Sequence, residues 1–438
     1  MSERTKIRDK RDGKRSWQKS RRFLGVVLAC MFVMSHVFSA WAAGPGDGRG
    51  SGGGPGQTGP GSGPSGELRG VWISYLDWEK LPADRAGFEK GVNQILDRCV
   101  DLGMNAVFVH VRADSDAMYP SAYFPWSRFI TGVQGQNPGY DPLSYFVSAA
   151  HQRGLAFHAW INPFRVTGFL NSWDQVSDSS FVKQWLADGD SSNDRFVLKQ
   201  NGEYYLNPSS LQVQERIVAG VREVVQNYDV DGIHFDDYFY PNVNNEDPEK
   251  WFDKPEYDAS GSLLGISDWR RENVNRLIRQ VYKTIKETKP QVQFGISPEG
   301  FVDNLRSEVR LFADVDTWLS QEGYVDYIMP QIYWGFEQKL SNGNLAPFAF
   351  SNNLQTWIGM KNKGNVRLYL GLAMYKAGSQ TADNNEIPEW LRYNDIMKRQ
   401  VEAGRESGQV SGYCFYAYSS FQEAVTQEEV ANLMKVFP

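Results

Sequence analysis

The sequence has few of the residues that build disulfide frameworks and metal centres. It contains three cysteines and five histidines in 438 residues. Cys99 and Cys414, the two cysteines beyond the N-terminal region, belong to no closely spaced pair of the kind that binds zinc. Neither an HxH nor an HExxH motif is present. We therefore predict two buried free thiols, no metal site and no cofactor.

Nucleotide-binding signatures are missing as well. No GxGxxG turn follows a predicted strand, and the chain has no P-loop. Excess positive charge is confined to residues 1–22, which carry ten Lys/Arg against three Asp/Glu. Without residues 1–42 the net charge falls from −6 to −13. Because such a body repels nucleic acid and anionic membrane surfaces, we predict neither as a partner.

The N-terminus has the pattern of a secretory signal. Its basic residues precede the apolar run 23–42, which ends in the small-x-small triplet Ala40-Trp41-Ala42. We predict a signal peptide cleaved after Ala42. A signal anchor is the alternative, because the run is nearly long enough to span a bilayer. Either segment predicts an extracytoplasmic protein (secreted, periplasmic or cell-envelope associated), with membrane contact only through an uncleaved segment.

A second N-terminal segment, residues 43–66, is rich in Gly, Pro and Ser and has almost no apolar side chain. It cannot bury surface, which predicts a flexible linker. The folded domain is therefore predicted to span residues 67–438, and its oligomeric state is left open.

The remainder alternates between short apolar runs and helical patterns. Eight such runs predict an α/β fold, the (β/α)8 TIM barrel, with long loops at the C-terminal face of the strands. A doubly wound open sheet is the alternative. The longest helical pattern runs from Asp268, interpreted as an N-cap, to Lys289. A small hairpin is predicted to turn at Asn201-Gly202. The predicted strands cover 69–74, 105–111, 155–161, 231–236, 292–297, 326–333, 367–373 and 411–417.

The stretch DGIHFDDYFYP, residues 231–241, places two aspartates at the end of a predicted strand. Because side chains alternate along a strand, His234 and Asp236 are predicted to face the barrel axis, and Asp237 to lie at the rim. The same alternation predicts a mouth that suits a ligand rich in hydroxyl groups. Its further members are His110, Arg112, His158, Trp160, Asn162, Ser297, Glu299, Gln331 and Tyr333.

Paired carboxyl groups at such a mouth suit glycoside hydrolysis, which needs one ionised and one protonated acid. Asp236 is predicted to be the ionised group. Glu299 is the first choice for its protonated partner and Asp116 the second, whereas Asp237 is expected to contribute less. Carboxyl groups about 5–5.5 Å apart predict retention of configuration, and about 6.5–9.5 Å predicts inversion.

Three histidines, His110, His158 and His234, share the inward direction on adjacent strands. They allow two interpretations, a zinc site or a hydrogen-bonded layer inside the barrel. Each lies below the end of its strand with another inward residue above it, which favours the interior layer.

Several stretches resemble the glycosyl-hydrolase-like family 10. They are ELRGVWISYLDW, VRADSDAMYPSAYFPWSRFITGVQGQNPGYDPL, GLAFHAWINPFRV, DGIHFDDYFYP, FGISPEG and DYIMPQIYW, which lie between residues 67 and 420. The resemblance implies a barrel and extracytoplasmic glycan cleavage, since one member hydrolyses peptide-free peptidoglycan. The family often has an apolar residue where this chain has Glu299, so Asp116 or Asp237 is the alternative acid.

The resemblance also implies functional positions beyond those given by strand alternation. Together the two arguments predict a substrate-binding set, within which Trp160, Tyr333 and Trp334 are expected to stack on sugars. The resemblance further points to Tyr119 and Asp231. The predicted set is Arg112, His158, Trp160, Asn162, Arg165, Asn207, His234, Tyr238, Tyr240, Gln331, Tyr333 and Trp334.

These features predict a secreted glycoside hydrolase that cleaves cell-wall glycan, or a related polysaccharide, by acid/base catalysis. A non-catalytic glycan-binding barrel of the cell envelope is the main alternative, because rings and amides alone suffice for binding. A metal-dependent deacetylase is a third interpretation, which the histidine argument disfavours.

Overall fold

A computed structural model describes residues 66–168, 172–200, 202–241, 252–363, 365–378 and 387–437. The predicted signal segment, and the linker apart from Gly66, lie outside these residues. Cys99 and Cys414 are buried and unpaired with each other, as predicted.

Eight parallel strands close into a barrel, which confirms the predicted fold. A separate two-stranded antiparallel hairpin pairs residues 197–200 with 203–206, as the sequence predicts. Gly202 between the strands has a φ of 86°, and Asn201 lies outside the described residues. The barrel strands are β1 (Leu68–Ile73), β2 (Ala106–Arg112), β3 (Ala156–Ile161), β6 (Gly232–Phe235), β7 (Gln293–Ile296), β8 (Tyr327–Ile328), β9 (Arg367–Leu372) and β10 (Gly412–Phe415). The hairpin strands are β4 (Val197–Gln200) and β5 (Glu203–Leu206).

Helices follow the strands and cover the outside of the barrel. In the part of the chain that the structure describes they are α1 (Tyr75–Trp78), α2 (Arg85–Asp101), α3 (Arg128–Thr131), α4 (Pro142–His151), α5 (Phe181–Ala187), α6 (Leu211–Asn227), α7 (Lys254–Ser260), α8 (Ile266–Thr288), α9 (Val302–Leu305), α10 (Val315–Ser320), α11 (Phe350–Gly359), α12 (Ile387–Arg392), α13 (Ile396–Glu406) and α14 (Gln427–Leu433). Among these described helices, none has the length and apolar character needed to cross a membrane.

Local sequence explains where the principal helices begin. Ser210 caps α6, because its hydroxyl accepts a hydrogen bond from the amide of Val213. Val213, Ile217, Val221 and Val224 recur on the buried face of this helix. Helix α8 begins earlier than predicted: Gly265 is its N-cap, and Asp268 lies in its first turn. An acidic residue in the first turn still stabilises the helix through its dipole.

Aromatic residues fill the barrel interior below the mouth. Trp72, Phe108, Tyr327 and Tyr369 belong to one buried cluster, together with Cys414. Each of these side chains points into the barrel. Residues two positions further along the same strand point the same way, so they reach toward the mouth.

Two of the three inward histidines form part of a hydrogen-bonded interior layer, as predicted. Trp72 Nε1 donates to His234 Nε2 at 3.2 Å, and His234 Nδ1 lies 3.1 Å from the Tyr327 hydroxyl. The same hydroxyl lies 3.1 Å from His158 Nδ1. Because His234 Nε2 accepts from an indole that can only donate, the proton of this neutral imidazole belongs on Nδ1. Burial lowers the pKa of both histidines, that of His158 to about 4.

Candidate active site

Three carboxyl groups meet at the ends of β6 and β7. Asp236, Asp237 and Glu299 are only 2%, 8% and 7% exposed. Burying ionised carboxylates is costly unless they are paired or hydrogen-bonded. Burial raises the pKa of all three, which favours retention of a proton within the group near neutral pH.

Asp236 is the best supported of the three as a carboxylate. Its Oδ2 accepts hydrogen bonds from Trp160 Nε1 at 3.1 Å and from Asn162 Nδ2 at 3.3 Å. Both donors lie at the end of β3, the strand next to β6. Burial raises the pKa of Asp236 to about 6, against the opposing effect of the nearby Arg165 charge. At neutral pH this carboxyl is mostly ionised and held in one orientation.

Asp237, predicted to lie at the rim, is buried next to Asp236. Burial raises its pKa well above the ordinary value, and the charges of Asp236 and Glu299 raise it further. Asp237 therefore lies within electrostatic reach of both acids. Its neutral form is favoured, which suits a hydrogen-bond donor or a proton reservoir beside Asp236.

Glu299 faces the same mouth from the end of β7. Its backbone forms a β-bridge with Gln331, and its side chain accepts a hydrogen bond from Asn304 Nδ2. Arg310 Nη2 lies 3.5 Å from its Oε2. Burial nevertheless raises the pKa of Glu299 to about 7, so a substantial fraction is protonated near neutral pH. This is the property required of a general acid.

Arg165 and Asp114 form an ion pair beside Asp236. Arg165 Nε donates to Asp114 Oδ1 at 3.0 Å, and its guanidinium lies 5.4 Å from the ring centres of both Tyr75 and Tyr238. Sequence reasoning did not single out Asp114. Asp114 lies beyond the end of the predicted strand 105–111, in the loop after β2, so strand alternation was not applied to it.

The opposite part of the mouth is lined by tyrosines. Tyr333, Tyr375 and Tyr416, which we call the tyrosine wall, follow β8, β9 and β10 and are half-buried. The rings of Tyr333 and Tyr416 are nearly parallel, with centres 6.1 Å apart, and Tyr375 stands across both. Tyr416 was missed, although alternation from the interior residue Cys414 leads to it. Tyr375 lies in a 3-10 turn after β9, where strand alternation gives no signal.

The predicted placement of Arg112 in the cleft is wrong. The bulge between His110 and Arg112 turns this side chain toward the helices. Its guanidinium lies 4.3 Å from the ring centre of Phe124, and a Cβ at Gly220 of α6 would lie 2.6 Å from its Nη1. Burial lowers the pKa of Arg112 to about 10. Glycine at position 220 thus makes room for this arginine.

Asp116, the second choice for the acid, lies inside the loop after β2. It is fully buried, and its Oδ1 accepts a hydrogen bond from the amide of Asp114 at 3.2 Å. Burial raises its pKa. Tyr119, from the same loop, is also fully buried and packs against Tyr228. Both positions fit bracing of the loop rather than contact with a ligand.

Three further predicted contacts lie at or below the floor of the mouth. Trp160 stacks on His110 with ring centres 3.4 Å apart, so one of its faces is already covered. His158 and His234 are 1% and 0% exposed. Their predicted contact with substrate is therefore corrected to the interior layer, which supports the mouth from below. Asn162, Tyr238 and Gln331 do lie around the mouth.

The side chains at the remaining predicted positions make hydrogen bonds and packing contacts within the protein. Asn207 Nδ2 donates to the carbonyl of Arg195, and its Oδ1 accepts from Ser209. Tyr240 is buried and packs against Phe312, and Trp334 is buried against Phe348. Asp231, at the start of β6, accepts from the amide of Phe157 at 2.7 Å. The predicted functional role of these residues is therefore corrected to a structural one, because each side chain contacts other parts of the protein.

Among the described residues, no group of three or more His, Cys, Asp or Glu side chains is arranged to hold a metal ion.

The sequence was compared with models of protein families. A model of the family described as "Glycosyl hydrolase-like 10" matches residues 67–391. The chain belongs to the glycosyl hydrolase-like 10 family. The match spans the strands from β1 to β9 and includes all three buried acids, Arg165, and two of the three tyrosines of the wall.

Two curated relatives are similar to this protein over most of its length. Glycosyl hydrolase YngK of Bacillus subtilis (strain 168) is 37% identical over 370 residues, which cover 79% of this chain and 67% of YngK. Glycosyl hydrolase DigH of Escherichia coli (strain K12) is 34% identical over 405 residues, which cover 84% of this chain and 86% of DigH.

Solved structures share the fold at low sequence identity. The glycoside hydrolase domain of PgaB (BpsB) from Bordetella bronchiseptica aligns with a TM-score of 0.55 and 14% identity, covering 84% of this chain and 99% of that domain. The β-galactosidase of Marinomonas ef1 gives a TM-score of 0.51 at 12% identity, with 84% and 59% coverage. The barrel is therefore of the type used by glycoside hydrolases.

Proposed function

We propose that the protein is a glycoside hydrolase of bacterial cell-wall glycan, with peptide-free peptidoglycan strands as its preferred substrate. The observation that carries the proposal is the group of three buried carboxyls at the ends of β6 and β7. Burial raises the pKa of Asp236 to about 6 and that of Glu299 to about 7, so both can change protonation near neutral pH. The donors Trp160 and Asn162 favour Asp236 as the ionised group and leave the acid role to Glu299. A binding module needs no such pair.

Hydrolysis assigns a role to each group. Glu299 donates its proton to the glycosidic oxygen as the bond from that oxygen to the anomeric carbon breaks. Asp236 attacks the anomeric carbon or activates the water that does so, and stabilises the developing positive charge. Water supplies the oxygen that ends on the anomeric carbon, and its proton restores the acid. Trp160 and Asn162 keep Asp236 oriented throughout.

The proposal includes an extracytoplasmic location and the domain order given by the sequence. The basic and apolar N-terminus supports export, and the Gly/Pro/Ser-rich residues 43–66 support a tether between that segment and the barrel. The net charge of −13 beyond residue 42 supports a polysaccharide rather than a nucleic acid as the partner.

Product analysis after incubation with peptide-free glycan strands tests the proposal. We expect shortened chains by mass spectrometry. Release of acetate would indicate a deacetylase, and retention of unchanged glycan would indicate a binder. Asp236→Asn should lower turnover by about 10²–10⁴-fold while keeping glycan binding, and Glu299→Gln should act similarly. Wild-type turnover in Asp236→Asn would refute the assigned mechanism.

A further inference from the structure

The acids and the tyrosine wall lie at different strand ends around the mouth. Among the described residues, Asp114, Arg165, Asp236, Asp237 and Glu299 follow β2, β3, β6 and β7. The tyrosine wall follows β8, β9 and β10, where Lys376, the residue after Tyr375, is buried as well. β-Bridges from Glu299 to Gln331 and from Gln331 to Gly371 fix this order around the rim. Glu299 therefore lies between Asp236 and the wall.

The wall is held in place before any ligand arrives. The amide of Tyr375 donates to the carbonyl of Tyr416 at 3.2 Å. Tyr416 packs against Trp72, with ring centres 6.1 Å apart, and Trp72 is fixed by its hydrogen bond to His234. Aromatic rings held in this way stack on the C–H faces of pyranoses with little loss of side-chain entropy.

We propose that the tyrosine wall binds the leaving-group sugar, on the side of Glu299 away from Asp236. The inference rests on the proposed glycosidase function and deepens it. Asp236 acts at the anomeric carbon, whereas Glu299 gives its proton to the oxygen between the two sugars. The direction from Asp236 to Glu299 along the rim is therefore the direction from the anomeric carbon to the glycosidic oxygen in the bound glycan. The sugar beyond that oxygen departs, and it lies over the wall.

The proposal can be tested with a substrate whose leaving group is not a sugar, because such a substrate does not need the wall. A β-glycosyl fluoride of the N-acetylglucosaminyl–N-acetylmuramic acid disaccharide loses fluoride on hydrolysis. The carbon–fluorine bond breaks and water supplies the new oxygen. Tyr375→Ala and Tyr416→Ala should each lower kcat/KM on glycan strands by about tenfold, yet change kcat/KM on the fluoride by less than about twofold. Tyr123→Ala, which removes an exposed tyrosine outside the mouth, is the matched control.

Two results would overturn the assignment. Equal losses on both substrates would place the retained sugar on the wall, and unchanged activity on both would remove the wall from the binding site. If either alanine variant fails to fold, Tyr375→Leu and Tyr416→Leu keep the bulk and lose the flat ring. If this fluoride is not turned over, the fluoride of the N-acetylmuramyl–N-acetylglucosamine disaccharide, which presents the other sugar at the reacting carbon, replaces it with the same expected outcomes.

Failure of the proposed function would look different. In that case the wild-type protein would shorten no glycan, or Asp236→Asn would retain turnover, whatever the wall variants do.

Discussion

Arg165 is the cation that acts on Asp236 from the neighbouring strand end. Its charge opposes the effect of burial on the pKa of Asp236, and its ion pair with Asp114 fixes its position. It also lies beside the rings of Tyr75 and Tyr238. Its main effect is therefore electrostatic: it favours the ionised form of Asp236, which the proposed mechanism requires.

Replacing Arg165 by Gln should raise the pKa of Asp236 above about 6. The pH at which kcat/KM rises should then move upward by about one unit or more, with a larger loss of activity at pH 6 than at pH 8. A pH profile on glycan strands measures this shift. Arg165→Lys keeps the charge and should keep most of the profile in place. An unchanged acidic limb in Arg165→Gln would show that the arginine does not control Asp236.

At the scale of the element, the loop after β6 depends on a buried ion pair. Arg270 of α8 donates from Nε to Asp253 Oδ2 at 2.9 Å, and neither side chain is exposed. Asp253 follows the part of the loop that carries Asp237 and Tyr238. This pair fastens the far end of the loop to the helix layer.

Asp253→Asn should therefore destabilise the protein by about 3–5 kcal/mol, because it removes the buried carboxylate charge to which Arg270 Nε and Nη2 donate. Urea unfolding measures the free energy. The matched control is Asp268→Asn, which breaks an exposed pair with Arg271 on the same helix and should cost less than about 1 kcal/mol. Equal effects of the two substitutions would contradict the structural role of the buried pair.

The elements show what the sequence could and could not predict. The eight barrel strands were predictable, because each is a short apolar run bounded by turns and helical patterns. Alternation correctly placed Asp236, Asn162, Glu299 and Tyr333 at the mouth. It failed at Arg112, because a single-residue bulge leaves no mark in a run of apolar and polar residues. The burial of Asp237 and Asp116 depends on loops packed from distant parts of the chain.

At the scale of the whole molecule, the buried acids couple stability to pH. Folding raises the pKa of Glu299 from 4.5 to about 7. The folded protein thus holds this proton more tightly than the unfolded chain, so the free energy of unfolding falls as pH rises through this window. The raised pKa that the proposed acid needs is therefore accompanied by a loss of stability as the pH rises to neutrality.

Glu299→Gln removes the ionisation and should reverse this cost. We expect stability close to wild type near pH 4.5, and a gain of about 1–3 kcal/mol at pH 8, where the wild-type carboxyl is ionised. Thermal unfolding at the two pH values measures the difference. Glu215→Gln, at an exposed position of α6, serves as the control and should show no such pH-dependent gain. A gain of equal size at both pH values would exclude ionisation as its cause.

The bulge in β2 also determines on which side of the barrel wall a positive charge lies. Whether a cation at the end of that strand serves the mouth or the helix layer is set by the number of residues before it. Regular pairing of Val111 with Ile161 would instead place Arg112 opposite Asn162 and turn it from Phe124 toward the barrel axis. A shift of one residue in strand register would thus change the charge at the mouth without altering any residue type there.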